Sequence, residues 1–426
     1  MNYIESVNYI HSLLKFGIRP GLNGMDALLH LLGEPHKHLK YVHVAGTNGK
    51  GSTSTAISNV LIEAGYNVGL YTSPYVTDFL ERVQYNGKPI DREIFANSVT
   101  KVKEFVEILE NQGTQITEFE ALTASAFLCF KALECDIVVL EVGLGGRLDA
   151  TNVIETPLVN VITSLSIDHS AILGNTIEEI AFEKCGTIKE NGTVVTDFAQ
   201  DEDALKIIKN ICRERNNRLI EADITRVQLI DSDIFGLKFM YKDCFYETSM
   251  AGFHQIKNMT CVIEACEILR GFYKISDEDI YNGIRKTVLP ARVEVISKKP
   301  LVILDGGHNA EGAKAFYDSV VPQLIGCGNV YVVAGMMADK AVKTSLKPLI
   351  EYSDSFIAVT PDNPRAMSCD ELAEIGKLFC NDVTAIPSPV DAVKTVSAAL
   401  GENDVLLVVG SLYLAGEVRE TLLELF

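Results

Sequence analysis

Val42-His43-Val44-Ala45-Gly46-Thr47-Asn48-Gly49-Lys50-Gly51-Ser52-Thr53 decides the fold of this chain. The β-branched run predicts a buried strand over 41–44, the glycine-spaced stretch a tight turn, and 52–64 a helix. Strand, glycine loop and helix N-terminus together make a cradle for phosphate. Backbone N–H groups and the helix dipole face the anion, and Lys50 adds a point charge. The bland alternative is an ordinary βα turn; Lys after Gly, with hydroxyls at 52, 53 and 54, argues against it. The loop departs from the Walker A form because Gly51, not Ser or Thr, follows Lys50. The usual metal-binding hydroxyl must then come from elsewhere.

At 426 residues the chain exceeds one ordinary hydrophobic core, so two domains are expected. Its net charge of −19, with no offsetting Lys/Arg run, disfavours binding to a nucleic-acid backbone. Ten cysteines are scattered without a C-x-x-C pair, which fits reduced structural thiols in a cytosol. Without a signal-peptide pattern or an apolar run of about 18 residues, a cytoplasmic protein that does not span a membrane is expected.

Strand-like runs alternate with helix-like segments, predicting an α/β architecture with a mainly parallel sheet. Strands are expected at 41–44, 67–71, 137–141, 158–162, 192–196, 301–304, 330–334, 356–359 and 405–409, and helices at 118–132 and 259–273. The stretch 217–248 reads as short antiparallel strands. A boundary is expected at Ser297-Lys298-Lys299-Pro300, giving domains 1–297 and 298–426.

The strand 137–141 ends in Glu141 and runs into Gly143-Leu144-Gly145-Gly146-Arg147. Ligands in open α/β sheets sit beyond the carboxyl ends of strands, so Glu141 is placed to hold Mg²⁺ on ATP, although a strand-end salt bridge is equally consistent. His169, in Ser166-Ile167-Asp168-His169, follows the next strand; a lone His is commonly structural, but beside Glu141 a ligand role is the better reading. Ser73, in Thr72-Ser73-Pro74, either offers the hydroxyl that Gly51 cannot or belongs to a plain turn. Lys184 reads locally as an exposed helix-end lysine. Asp305-Gly306-Gly307-His308-Asn309 and Gly410-Ser411-Leu412-Tyr413 are two further strand–turn–helix corners that either bind a ligand or cap a helix. Arg292 lies just before the boundary, where it is either a surface arginine, the commoner case, or one that reaches across a cleft to a phosphate. The residues alone thus imply a two-domain, Mg²⁺-dependent ATP user.

Taken in order, these segments resemble the folylpolyglutamate synthase/dihydrofolate synthase family, a branch of the Mur ligases. Tyr9-Ile10-His11-Ser12, Glu81-Arg82, Thr117-Glu118-Phe119-Glu120, Leu148-Asp149-Ala150, His254-Gln255 with Asn258, Asp339-Lys340 and Pro364-Arg365-Ala366 extend the match over essentially the whole chain. The resemblance implies a P-loop ATPase domain followed by a smaller Rossmann-like domain, and an ATP-dependent ligase that adds L-glutamate to dihydropteroate and to reduced folates through an acyl phosphate. A folylpolyglutamate synthase alone, or another Mur-type carboxylate–amine ligase, are the alternatives; a nucleotide-binding scaffold without turnover is the non-enzymatic one.

By the same resemblance Gly49, Lys50, Gly51, Ser52, Asn258, Arg292 and Asp305 contact ATP, while Ser73, Glu141 and His169 serve two Mg²⁺ ions, with a monovalent cation in addition. Lys184 is carbamylated and, with Lys50 and His169, belongs to the catalytic set. Thr117, Glu118, Phe119, Glu120, Leu148, Asp149 and Ala150 bind the pterin, Phe119 by stacking and Asp149 by accepting its N–H groups. His308 and Ser411 bind the incoming glutamate, and the enzyme is a monomer. Tyr75 stands where many relatives have His, Gly307 where Ala is usual, and Ala291 where Gly is frequent.

Overall fold

A computed structural model describes residues 1–17, 21–338 and 342–426; Asp339 and Lys340 of the family pattern lie outside the described residues. The first sheet has eight strands: β1 (Tyr41–Ala45), β2 (Val68–Tyr71), β3 (Val83–Tyr85), β4 (Lys88–Pro89), β5 (Ile137–Glu141), β6 (Val159–Ile162), β7 (Thr193–Asp197) and β8 (Arg218–Ala222). Their order is β4-β3-β2-β5-β1-β6-β7-β8. From β2 to β8 every neighbouring pair is parallel, and β3 and β4 add an antiparallel edge. The central strands β1, β2, β5 and β6 are buried along their whole length, which is why they read as unbroken apolar runs. Helices Lys50–Glu63, Arg92–Asn111 and Glu118–Ala132 belong to the same layered unit, whose core includes Tyr71, Phe95, Phe127, Phe130 and Leu140.

A second sheet contains β12 (Glu294–Lys298), β13 (Leu301–Leu304), β14 (Val330–Ala334), β15 (Ser355–Ala358), β16 (Val383–Ala385) and β17 (Val405–Val409), preceded in the chain by an antiparallel ribbon of β9 (Gln228–Asp233), β10 (Gly236–Tyr241) and β11 (Cys244–Thr248). The sheet order is β12-β13-β17-β14-β15-β16, parallel except at β12. Its core gathers Ile303, Val332, Phe356 and Leu407.

Two compact units result: 1–227 with 257–287, and 228–256 with 288–426. The division is therefore interleaved rather than a single cut between 297 and 298. The expected antiparallel region also needs correction at its start. Arg218–Ala222 pairs in parallel with β7 at the edge of the large sheet, and only 228–248 forms the ribbon.

Candidate functional site

In the first unit the carboxyl ends of four adjacent strands, β2, β5, β1 and β6, carry most of the expected residues. After β1 the chain turns through Gly46 to Gly49 and enters the helix Lys50–Glu63. Gly49 is the N-cap with φ +84°, and a Cβ there would strike the buried Asn258 amide. Glycine is thus required both by the left-handed backbone and by the side chain packed against it. Asn258 comes from the helix Phe253–Leu269, so the structure joins two of the expected ATP residues. The loop is pinned from the end of β6. Thr163 Oγ1 donates to the Asn48 carbonyl at 2.8 Å, Thr47 N donates to Ser164 O at 2.8 Å, and Thr47 Oγ1 donates to Ser166 O at 3.1 Å. Sequence reasoning missed Thr163 and Thr47 as supports, because only the sheet order reveals that β6 lies beside β1.

Glu141 ends β5 with 3% exposure, in register with Val44 of β1. Ser73 N, from the loop after β2, donates to Glu141 Oε2 at 3.3 Å. His169 has φ +54°, and its Nε2 lies 4.0 Å from Asp168 Oδ2. Among the described residues no three His, Cys, Asp or Glu side chains form a metal cage. Magnesium on a nucleotide is held by one or two carboxylates, with phosphate and water oxygens completing the octahedron. A buried hard-oxygen carboxylate beside Ser73, at the level of the phosphate loop, fits that need.

Lys184 overturns its local reading. It lies in the helix Ile177–Cys185 with 4% exposure, and its Nζ donates to the Gly46 carbonyl at 2.8 Å. Burial, assisted by the Lys50 charge, pushes its pKa down to about 7 against the opposing pull of Asp168 and Asp149. Lys50 Nζ donates to Thr47 O at 3.1 Å. Two lysine side chains are therefore brought to one loop, and the buried one has its pKa lowered to about 7.

The loop 143–152 is built around Asp149. Its Oδ1 accepts from Thr151 N at 3.0 Å and Thr151 Oγ1 at 2.6 Å, and its Oδ2 accepts from Leu144 N at 2.9 Å. Burial raises the Asp149 pKa while these bonds oppose the rise. Because Thr151 spends its proton on Asp149, His43 Nε2 must donate to Thr151 Oγ1, at 2.9 Å. Burial drives the His43 imidazole down to about 3, so it stays neutral. The immediate duty of Asp149 is thus to organise its own loop between Leu148 and Ala150. On the other side, Arg147 Nη2 meets Glu183 at 2.8 Å, and a Cβ at Gly146 would come within 2.6 Å of the Lys184 carbonyl. That close approach couples the loop to the Lys184 helix.

Of the four residues at 117–120, two are occupied by helix capping. Thr117 caps the helix Glu118–Ala132, and Glu120 Oε2 accepts from Thr117 N and Oγ1, both at 2.8 Å. Glu118 pairs with the nearly buried Arg82 at 2.7 Å. Phe119 lies against Gly143, edge-on to Tyr71 at 5.9 Å, with the Arg82 guanidinium 5.6 Å from its centroid. Sequence gives Arg82 no role beyond its place in the Glu81-Arg82 pair of the family pattern; in the structure the Glu81 carboxylate accepts from Val76 N, Thr77 N and Asp78 N. Thr117→Ala is expected to lower stability by about 1–2 kcal/mol through loss of this box, measurable as a shift in urea midpoint.

In the second unit, Asp305 follows β13 and its carboxylate accepts from Val293 N at 2.9 Å and Gly307 N at 2.7 Å. Burial raises its pKa and the Arg292 charge lowers it. His308 Nδ1 lies 3.3 Å from Gly306 O. The helix Ala310–Val320 is capped by Asn309, rather than by Asp305 or His308. Ser411 caps Leu412–Leu425 by accepting from Leu414 N at 3.1 Å. A Cβ on Gly306 would strike Leu412, so the turns after β13 and β17 touch and bring His308 and Ser411 to one corner of the sheet.

Family models of the Mur ligase middle domain and of the Mur ligase glutamate ligase domain match residues 44–266 and 291–412. The chain is 38% identical to the dihydrofolate synthase/folylpolyglutamate synthase of Bacillus subtilis over 99% of both chains. It is 34% identical to the folylpolyglutamate synthase of Lacticaseibacillus casei, again over 99% of both. Among solved structures, folylpolyglutamate synthase of Mycobacterium tuberculosis complexed with ADP and AMPPCP superposes with a TM-score of 0.88 at 26% identity, covering 99% of each chain. E. coli FolC in complex with DHPP and ADP gives 0.86 at 27% identity, covering 99% of this chain and 97% of that one. Loop, sheet order and whole-length likeness agree: the chain belongs to the folylpolyglutamate synthase/dihydrofolate synthase family of Mur ligases.

Proposed function

We propose that this chain is an ATP-dependent ligase that forms an amide between L-glutamate and a pterin-linked carboxylate, accepting both dihydropteroate and reduced folates. The carrying observation is the convergence of the phosphate loop, Ser73, Glu141 and Lys184 at the ends of four adjacent parallel strands. The double name of the Bacillus subtilis relative and the pairing of DHPP with ADP in E. coli FolC support both acceptors and the nucleotide.

In the reaction the acceptor carboxylate oxygen takes the γ-phosphoryl group and ADP leaves. The glutamate amine then attacks the acyl phosphate, loses a proton, and phosphate is expelled. The demands on the protein are positioning and charge neutralisation. Lys50 and the N–H groups of Gly49, Gly51 and Ser52 hold the β- and γ-phosphates. Asn258, Arg292 and Asp305 are assigned to ATP, and His308 and Ser411 to glutamate. Ser73, Glu141 and His169 would hold two Mg²⁺ ions, which when bound neutralise phosphate charge. Lys184 is assigned as a carbamate; its near-neutral amine is the form that attacks CO₂, forming an N–C bond and releasing a proton. Phe119, supported by Glu118, with Leu148, Asp149 and Ala150, is assigned to the pterin, and Thr117 and Glu120 hold that helix start. The enzyme acts as a monomer in the cytosol, as the resemblance implies; among the described residues no helix is long and apolar enough to cross a membrane.

Phosphate release with ATP, Mg²⁺ and L-glutamate tests the reading. Stimulation by dihydropteroate and by tetrahydrofolate is expected. Stimulation by the folate alone would leave a polyglutamylase, and none by either would return a different Mur-type acceptor. Asp149→Ala is expected to lower dihydropteroate kcat/KM roughly 100-fold while sparing folate glutamylation. An equal fall with both would mean that Asp149 serves only its loop.

A further inference from the structure

Ala291, Arg292 and Val293 carry an unusual backbone. Ala291 has φ +55° and Val293 φ +48°, so two non-glycine residues in the left-handed region flank one arginine. A β-branched residue in that region is an outlier, and such conformations persist only where the surroundings over-determine them. Ala291 and Val293 are buried, while Arg292 between them is half-buried.

The restraints are on both sides. Ala291 O accepts from Gly306 N at 2.8 Å, and Val293 N donates to Asp305 Oδ2 at 2.9 Å. Ala291 N donates to Glu294 Oε2 at 2.8 Å. Glu294 is itself gripped by Arg419, with Nη2 at 2.7 Å from Oε1 and Nε at 3.0 Å from Oε2. Arg419 lies on the last helix, Leu412–Leu425. The fork fixes the carboxylate's plane as well as its place, which a point charge would not do.

We propose that Glu294 and Arg419 are positioning residues for Arg292: the bidentate pair holds the Ala291 N–H, and thereby the strained backbone from which the Arg292 side chain, assigned above to ATP, projects. This rests on the assignment of Arg292 to ATP made above. A pair that merely ties β12 to the last helix would affect stability alone.

Steady-state kinetics with the full-length enzyme separate the cases. Arg419→Gln is expected to raise KM for ATP about tenfold or more, with KM for glutamate changed by less than about threefold although Ser411 begins the same helix. Arg419→Lys, which keeps the charge and loses the fork, should not rescue it. The exchanged pair Glu294→Arg with Arg419→Glu should recover melting temperature but not KM for ATP, because arginine cannot accept from Ala291 N. Adding Arg419→Gln to Arg292→Ala should cost no further ATP kcat/KM. Recovery of KM for ATP in the exchanged pair, or an unchanged KM in Arg419→Gln beside a raised one in Arg292→Ala, would overturn the proposal. An Arg292→Ala enzyme with wild-type ATP kinetics would instead overturn the assignment of Arg292 itself.

Discussion

Lys184→Met is expected to abolish ligation and, at the same time, to stabilise the protein at neutral pH. The two effects have one cause. Lys184 is buried beside the phosphate loop, and its pKa falls from 10.5 to about 7 because the charged form is desolvated. Between about pH 7 and 10.5 the unfolded chain binds a proton at this site that the folded chain does not, so wild-type stability rises with pH across that window. Below the folded pKa of about 7 the whole penalty is present, roughly 4–5 kcal/mol from the size of the shift. Methionine fills a similar volume without it. The gain should thus be full below about pH 7, reduced by the lost bond to Gly46 O, and fade toward pH 10. Turnover should fall at least about 1,000-fold, since Lys184 is assigned to the metal–phosphate set. Urea denaturation of CO₂-depleted protein at pH 7 and pH 10, with phosphate release alongside, checks both halves. A variant that keeps its activity, or a stability difference that does not change with pH, would refute this account.

Glu141→Gln is expected to be the most damaging change that preserves shape. The amide oxygen can still accept from Ser73 N, so the loop after β2 keeps its anchor. What disappears is the negative charge at a site with 3% exposure, where electrostatic interactions are strong and water cannot substitute. A loss of about 10³ in kcat is expected, with little change in melting temperature. Loss of activity accompanied by loss of fold would mean that Glu141 is structural. ADP binding measured without Mg²⁺ should remain close to wild type, because the loop N–H groups and Lys50 are untouched.

The sheets were legible where strands are buried on both faces. β1, β5 and β17 read as apolar runs because both their faces are covered. β8 is not separable from the ribbon by sequence, because Arg218-Leu219-Ile220-Glu221-Ala222 is a partly exposed edge strand whose polar residues imitate the strands that follow. β12 and β16 escaped notice for the same reason, being edge strands with no buried residue. At the site, the strand–turn–helix from Tyr41 to Glu63 is legible because its geometry is local. Lys184 is not, because the carbonyl that receives its amine is 138 residues away. Only the family resemblance singles Lys184 out from sequence; the structure shows its burial and its bond to Gly46 O. Thr117 and Glu120 show the reverse: a capping box is readable as T-x-x-E, and the pterin reading passed over it.

The interleaving of the two units bears on how this polypeptide can be made and cut. The chain passes between units at 227/228, 256/257 and 287/288, so neither is a continuous stretch of gene. In the first unit the helix Asp277–Arg285 packs on Lys50–Glu63, with Gly283 set against Val60. A ribosome that has released only the first 227 residues has therefore made a phosphate loop whose helix still lacks its cover. An expression fragment ending there should be aggregation-prone, and a protease nick in the ribbon should leave two pieces that stay together until denatured.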